Sequence, residues 1–292
     1  MGMASYADQW QHVPTSPSDT CTAAEMTVLG TTTGRWRPRL RFARVELKAR
    51  LLLPSIRRSV AKQARQLRSL GEPQAQRLGE ALEGIASDHL SPDARAALDR
   101  VQASRRATLR GLERVSWADG STESVAWICA LASQPPSGAR LLHHLAAVWQ
   151  PRRAIELGTC VGVSAAYQAV ALRAGTLTTL EAYPALANRA EETWRLAQID
   201  NARVLVGRFA DTLAPTLPEA AWDHAVIDGN HQGRATEHDV EQVSRSAAPG
   251  ALLALDDIDY NDGMRAAWDS VRQRPDVAAS AVVGKIGLLA LR

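Results

Sequence analysis

Hydrophobic and polar positions change their rhythm along this chain, and the changes divide it. In residues 1–35 the apolar side chains follow no period among Ser, Thr, Pro and Gly, which reads as a flexible leader. From residue 37 to about 114 they recur at steps of three and four, in VELKARLLL, around Leu67 to Leu82 and in SPDARAALDRVQASRRATLRGL. That spacing puts them on one face of a helix, so it predicts two to four helices, with breaks expected at Pro54 and Pro73. Ser91-Pro92-Asp93 predicts an N-cap followed by proline at the first helical position. Asp119-Gly120 marks a turn, residues 123–133 read as helical, and Pro135-Pro136-Ser137-Gly138 interrupts before a short helix over 139–149.

Beyond Pro151 short apolar runs alternate with helical stretches. RAIEL, TLTTLEA, ARVLVG, HAVIDG and ALLALDD are each followed by a segment of helical period, and one last apolar segment reaches Leu291. This alternation predicts an α/β fold: a Rossmann-like, doubly wound parallel sheet that binds its ligand at the carboxyl ends of the strands. The expected organisation is a leader over 1–35, a helical appendage over 36–115 and a Rossmann-like domain over 116–292.

Charge is unevenly spread. The net +3 conceals a basic front half and an acidic back half, because residues 151–292 hold 14 Lys and Arg against 18 Asp and Glu. Between Arg35 and Arg68 the only acid is Glu46. Such a run suits nucleic acid or an anionic membrane surface, and equally a solvated helix face. Cys21, Cys129 and Cys160 are too far apart for a CxxC metal site or a disulfide framework, which fits a reducing cytoplasm. No apolar run is long enough for a signal peptide core or a membrane span, so a cytoplasmic location is expected.

The segment Glu156-Leu-Gly158-Thr159-Cys-Val-Gly162-Val-Ser164 joins the first of these strands to its helix. Gly158 and Gly162 permit a tight turn and close ligand approach, and the helix start near Ser164 offers unpaired N–H groups. The GxGxxG pattern of a pyrophosphate site is absent. An acid at position 156 would repel a pyrophosphate but suits a cofactor carrying a cationic sulfonium and an amino group. Glu181, at the end of the next strand, offers a carboxylate to both hydroxyls of a ribose. Together the two acids favour S-adenosylmethionine over NAD.

These motifs, with Val-Gly207-Arg-Phe209-Ala-Asp211, Val-Ile-Asp228-Gly-Asn-His231 and Leu-Asp256-Asp257-Ile, resemble in order those of catechol O-methyltransferase-like class I methyltransferases, over about residues 120–292. The wording around His231 and Asp257 is similar to bacterial members of that group. The resemblance implies cofactor binding by Glu156, Gly158, Thr159, Gly162, Ser164, Glu181, Phe209 and Asp228, with Asp228, Asp256 and Asp257 holding a divalent metal, usually magnesium. Three carboxylates at neighbouring strand ends repel one another unless protonated, salt-bridged or neutralised by a cation. Equally, Asp256-Asp257 could cap a loop and Asp228 bind backbone amides. His231 stands where the family carries a lysine base. With an ordinary pKa of about 6.5 it is competent to deprotonate a bound hydroxyl, or it is a structural histidine bonded to a loop carbonyl. Asn230 and Thr236 are further candidates to position substrate, and Trp117, Trp127, Tyr260 and Trp268 to line the pocket.

The function this implies is metal-assisted O-methylation of a small-molecule hydroxyl on a natural product or sugar. Two alternatives remain open at this stage. The basic front could grip RNA for nucleotide methylation, or the chain could be a non-catalytic scaffold on a methyltransferase fold. A homodimer through the helical front is compatible with each.

Overall fold

The computed structural model describes residues 37–292 apart from 118–119, 218–221 and 230, so the expected leader and Asn230 lie outside the described residues. The side chains of residues 37–41 and 44–54, in the most basic part of the front, also lie outside them.

Three helices come first: α1 (Arg37–Ser69), α2 (Pro73–Ser87) and α3 (Pro92–Thr108). The break expected at Pro54 does not occur, and α1 runs through it as one helix of 33 residues. Packing overrides local preference here, because Val60, Ala64 and Leu67 of α1 join Ala75, Leu78 and Leu82 of α2 in one buried cluster. The Ser91 hydroxyl does cap α3 by accepting the Ala94 amide, with Pro92 opening the helix. A small antiparallel hairpin follows, β1 (Arg114–Ser116) with β2 (Thr122–Ser124). Gly120 of the expected turn lies between its strands at φ +81°, and Asp119 lies outside the described residues. Helices α4 (Val125–Ala132) and α5 (Pro136–Trp149) then lead into the main sheet.

That sheet has seven strands: β3 (Arg153–Leu157), β4 (Thr176–Glu181), β5 (Ala202–Val206), β6 (Trp222–Ile227), β7 (Ala247–Leu255), β8 (Val277–Val283) and β9 (Ile286–Leu291). Their order is β5-β4-β3-β6-β7-β9-β8. β3 to β7 are parallel, but β9 runs antiparallel to β7 and to β8. The single last apolar segment expected from the sequence is therefore a hairpin, and the sheet is mixed rather than wholly parallel. Between the strands lie α6 (Val163–Ala171), α7 (Pro184–Ala197), α8 (Phe209–Thr216), α9 (Gly233–Arg245) and α10 (Asp262–Val271).

Period-two alternation splits the core. Leu252, Ala254 and Leu288 share a cluster with α1, α2 and α5, whereas Leu253, Leu255 and Leu289 share one with α9 and α10. The front helices thus bury their apolar faces on the sheet layer itself. Each buried Leu removed from water contributes about 1.5–3 kcal/mol. The direction of winding reverses between β3 and β6, and a crevice opens there at the carboxyl ends of the strands.

Candidate active site

A cavity of about 490 Å³ lies in that crevice. Its floor is the loop after β3, where Gly158 adopts φ +100°. A Cβ there would run into the Asp228 carbonyl, so glycine is what lets the ends of β3 and β6 approach. Thr159, Cys160 and Ser164 continue the wall. Glu181, ending β4, is buried, and its Oε2 accepts the Cys160 amide at 2.9 Å and its Oε1 the Tyr183 amide at 3.0 Å, with the Thr159 and Ala182 amides also directed at the carboxylate. Burial pushes the Glu181 carboxyl up to about 7, against the pull of the amides it accepts. Phe209, at the start of α8, closes this end against Gly229, where its ring occupies the space a side chain would need.

At the other end the strand ladder carries three acids inward. Asp228 follows β6, with its N–H bonded to the Leu157 carbonyl, and Asp256 follows β7, bonded likewise to Ile227. Both line the cavity with Asp257 and His231. Burial pushes Asp228 up to about 7 and Asp256 well above its ordinary value. Two groups absent from the sequence expectations meet these acids. Lys285, in the β8–β9 turn, places its Nζ 2.7 Å from Asp257 Oδ1 and 3.2 Å from Asp256 Oδ2. Gln134, after α4, donates from Nε2 to Asp256 Oδ2 and, at 3.4 Å, to Asp228 Oδ2. Burial works against the charge of Lys285, but the three acids outweigh it and hold the ammonium above its ordinary range.

His231 Nε2 lies 3.7 Å from Asp257 Oδ2, within ion-pair range, and its ring leans on Tyr260 with centroids 5.3 Å apart. Its Nδ1 has no hydrogen-bond partner. Backbone strain concentrates here as well. Among described non-glycine residues at positive φ, Asp88, Gln150 and Gln198 end helices, whereas Cys160, His231 and Asp257 line the cavity.

Of the sequence-derived cofactor residues, Gly158, Thr159, Ser164, Glu181, Phe209 and Asp228 line the cavity, and Glu156 and Gly162 do not. Glu156 is wholly buried beneath the loop, where Oε2 accepts from Gln168 of α6 at 3.0 Å and burial raises its carboxyl to about 8. Gly162 caps α6, and its carbonyl accepts the Trp194 indole N–H at 2.8 Å. Thr236 is buried on α9 and donates to the Met264 sulfur, away from the cavity. None of Trp117, Trp127, Tyr260 and Trp268 lines it either. Trp117 packs edge-on against Tyr183 at 4.5 Å and Trp268 lies in the core over Gly287. The aromatic lining is instead Phe42, Tyr183 and Phe209. Phe42 comes from α1, where Arg105 of α3 stacks over its ring at 4.5 Å. The same guanidinium donates to the carbonyls of Ser133 and Gln134, so the front helices hold both a wall and the Gln134 segment.

The expected magnesium meets a donor set already in use. Lys285 and Gln134 engage Asp256 Oδ2 and Lys285 engages Asp257 Oδ1, while Asp256 Oδ1 is buried without a partner, and among the described residues no group of three or more His, Cys, Asp or Glu side chains is arranged to hold a metal ion. As they stand, these residues do not fit a divalent ion.

Counting only the large sheet, its strands run 3-2-1-4-5-7-6, with an acid at or just after the ends of β3, β4, β6 and β7; this is the architecture of class I methyltransferases. Residues 155–258 match the family model described as a methyltransferase domain. Solved structures agree. The O-methyltransferase TomG of Streptomyces achromogenes, involved in tomaymycin synthesis and solved with S-adenosylmethionine, is 25% identical over 67% of this chain and 89% of its own, with a TM-score of 0.50. A Bacillus cereus O-methyltransferase solved with S-adenosylhomocysteine is 21% identical over 72% of this chain and 97% of its own, at 0.51. The Podospora anserina methyltransferase PaMTH1 reaches 0.53 at 15% identity, covering 76% and 97%. No curated protein matches the sequence. Residues 155–258 thus match a methyltransferase domain, on the fold of class I methyltransferases. Among the described residues no helix is long and apolar enough to cross a membrane.

Proposed function

We propose that this protein transfers the methyl group of S-adenosylmethionine to a hydroxyl of a small molecule. The observation that carries this reading is one cavity whose lining combines two kinds of chemistry: Glu181 with the Gly158–Thr159–Cys160 loop, which offer acceptors and a close backbone, and Asp228, Asp257 and His231, which gather with a cation. Its volume lies within the roughly 300–1,000 Å³ usual for ligand pockets.

Cofactor binding falls to named groups. Glu181 would hold the vicinal ribose hydroxyls and Phe209 would offer its ring to the adenine, while Glu156, buried in β3, accepts from Gln168 of α6. When bound, the sulfonium supplies an electrophilic methyl group. That methyl would pass to the acceptor oxygen as the carbon–sulfur electron pair goes to sulfur, and His231 would receive the hydroxyl proton. Asp257 stands beside His231 to stabilise the imidazolium that forms. Rate enhancement would rest chiefly on alignment of oxygen, carbon and sulfur.

The test is a screen of phenols, sugars and natural-product alcohols with methyl-labelled cofactor. Label appearing on an acceptor hydroxyl, with stoichiometric S-adenosylhomocysteine, supports the reading. Label appearing only in RNA or protein contradicts it.

A further inference from the structure

Building on that reading, we propose that Lys285 is the resident cation of the acceptor end: its ammonium stands in the position a divalent ion would take between Asp228, Asp256 and Asp257, and it receives the acceptor oxygen directly.

The placement is built, not incidental. Val283 pairs with Ile286, so Gly284-Lys285 is a two-residue hairpin turn, with Gly284 at φ +61°. The Lys285 carbonyl accepts the Ile258 N–H at 3.1 Å, which pins this turn to the loop that carries Asp256 and Asp257. Backbone on both sides therefore fixes where the side chain starts. The ammonium has three N–H donors. Asp257 at 2.7 Å and Asp256 at 3.2 Å take two of them, and because Lys285 lines the cavity a third is available to an oxygen within it. Gln134 adds a second donor to Asp256 Oδ2 and one to Asp228 Oδ2, leaving Asp256 Oδ1 buried without a partner. The lysine thus compensates Asp256 and Asp257 directly, and the amide links Asp256 to Asp228.

Direct metal binding tests this without reference to cofactor or turnover. Wild type and Lys285→Ala are titrated with Mn²⁺ by electron paramagnetic resonance, and their melting temperatures are measured with and without MgCl₂. Wild type is expected to take up no stoichiometric Mn²⁺ at about 1 mM, a concentration that fills weak carboxylate sites, and to melt unchanged in magnesium. Lys285→Ala, with its acids left uncompensated, is expected to melt lower, bind one Mn²⁺ and recover its melting temperature in magnesium. If Lys285→Ala does not fold, Lys285→Gln serves in the same two measurements. One equivalent of Mn²⁺ bound by wild type, or a folded lysine variant binding no more than wild type, overturns the proposal. Failure of wild type to bind S-adenosylmethionine would instead sink the function proposed above and leave these titrations standing.

Discussion

Replacing Gly158 by Ala tests the geometry on which the whole site rests. The backbone at this position holds φ +100°, which costs a residue with a Cβ about 1–2 kcal/mol. The new methyl would also point into the Asp228 carbonyl, so the ends of β3 and β6 would have to separate. Forcing an extra methyl into a packed place of this kind costs roughly 1–3 kcal/mol more. Together these give a loss of about 2–5 kcal/mol, or a fall in melting temperature on the order of 5–15 °C. Gly71 is the internal control: it sits between α1 and α2 with no atom within 4 Å of its would-be Cβ and no positive φ. Gly71→Ala is expected to be neutral or to gain about 0.4–1 kcal/mol through the unfolded chain. Both variants would be followed by circular dichroism during thermal and urea unfolding. A Gly158→Ala protein melting together with Gly71→Ala would refute the close approach of the two strands.

Two further outcomes follow from particular side chains. Phe42→Ala removes a wall next to the Gln134 segment, so the KM for an acceptor is expected to rise roughly 5–30-fold while affinity for S-adenosylmethionine stays within about twofold; an unchanged KM would show that α1 does not shape the acceptor end. His224 is fully buried on β6, and burial lowers its pKa to about 4, against about 6.5 in the unfolded chain. Below pH 6.5 the unfolded state then binds more protons, so this group's share of stability falls as pH drops toward 4, by about 2 kcal/mol at pH 5 relative to pH 7. His224→Asn keeps a donor for the Leu252 carbonyl and removes that titration, so urea unfolding should show its stability relative to wild type improving by that amount between pH 7 and pH 5; an identical difference at both pH values would be the contrary result.

Much of the fold was legible because it rests on local periodicity. Each central strand is a short apolar run followed by a helical segment, and the acids at positions 156, 181, 228 and 256 stand at or just after strand ends where register places them. What the sequence did not disclose depends on distant segments meeting. Phe42, Gln134 and Lys285 come from α1, from the residue pair after α4 and from the last hairpin, and nothing in their neighbours names a cavity. One signal was present and passed over: Gly284-Lys285 interrupts an apolar run that reads as a single strand, and such a pair marks a two-residue turn. The tryptophans misled for a general reason, since large aromatics more often fill cores than line pockets, as Trp268 does here. Pro54 misled because tertiary packing carries α1 through a residue that alone would end it.

The most direct test of the central claim is calorimetric titration of the intact protein with S-adenosylmethionine, with Glu181→Ala beside it. One-site saturable binding is expected for wild type. Loss of the carboxylate should weaken it roughly 10–100-fold, the worth of charge-assisted bonds to two hydroxyls. Absence of saturable binding to wild type, or an unchanged affinity in a folded Glu181→Ala protein, would contradict the cofactor site described here.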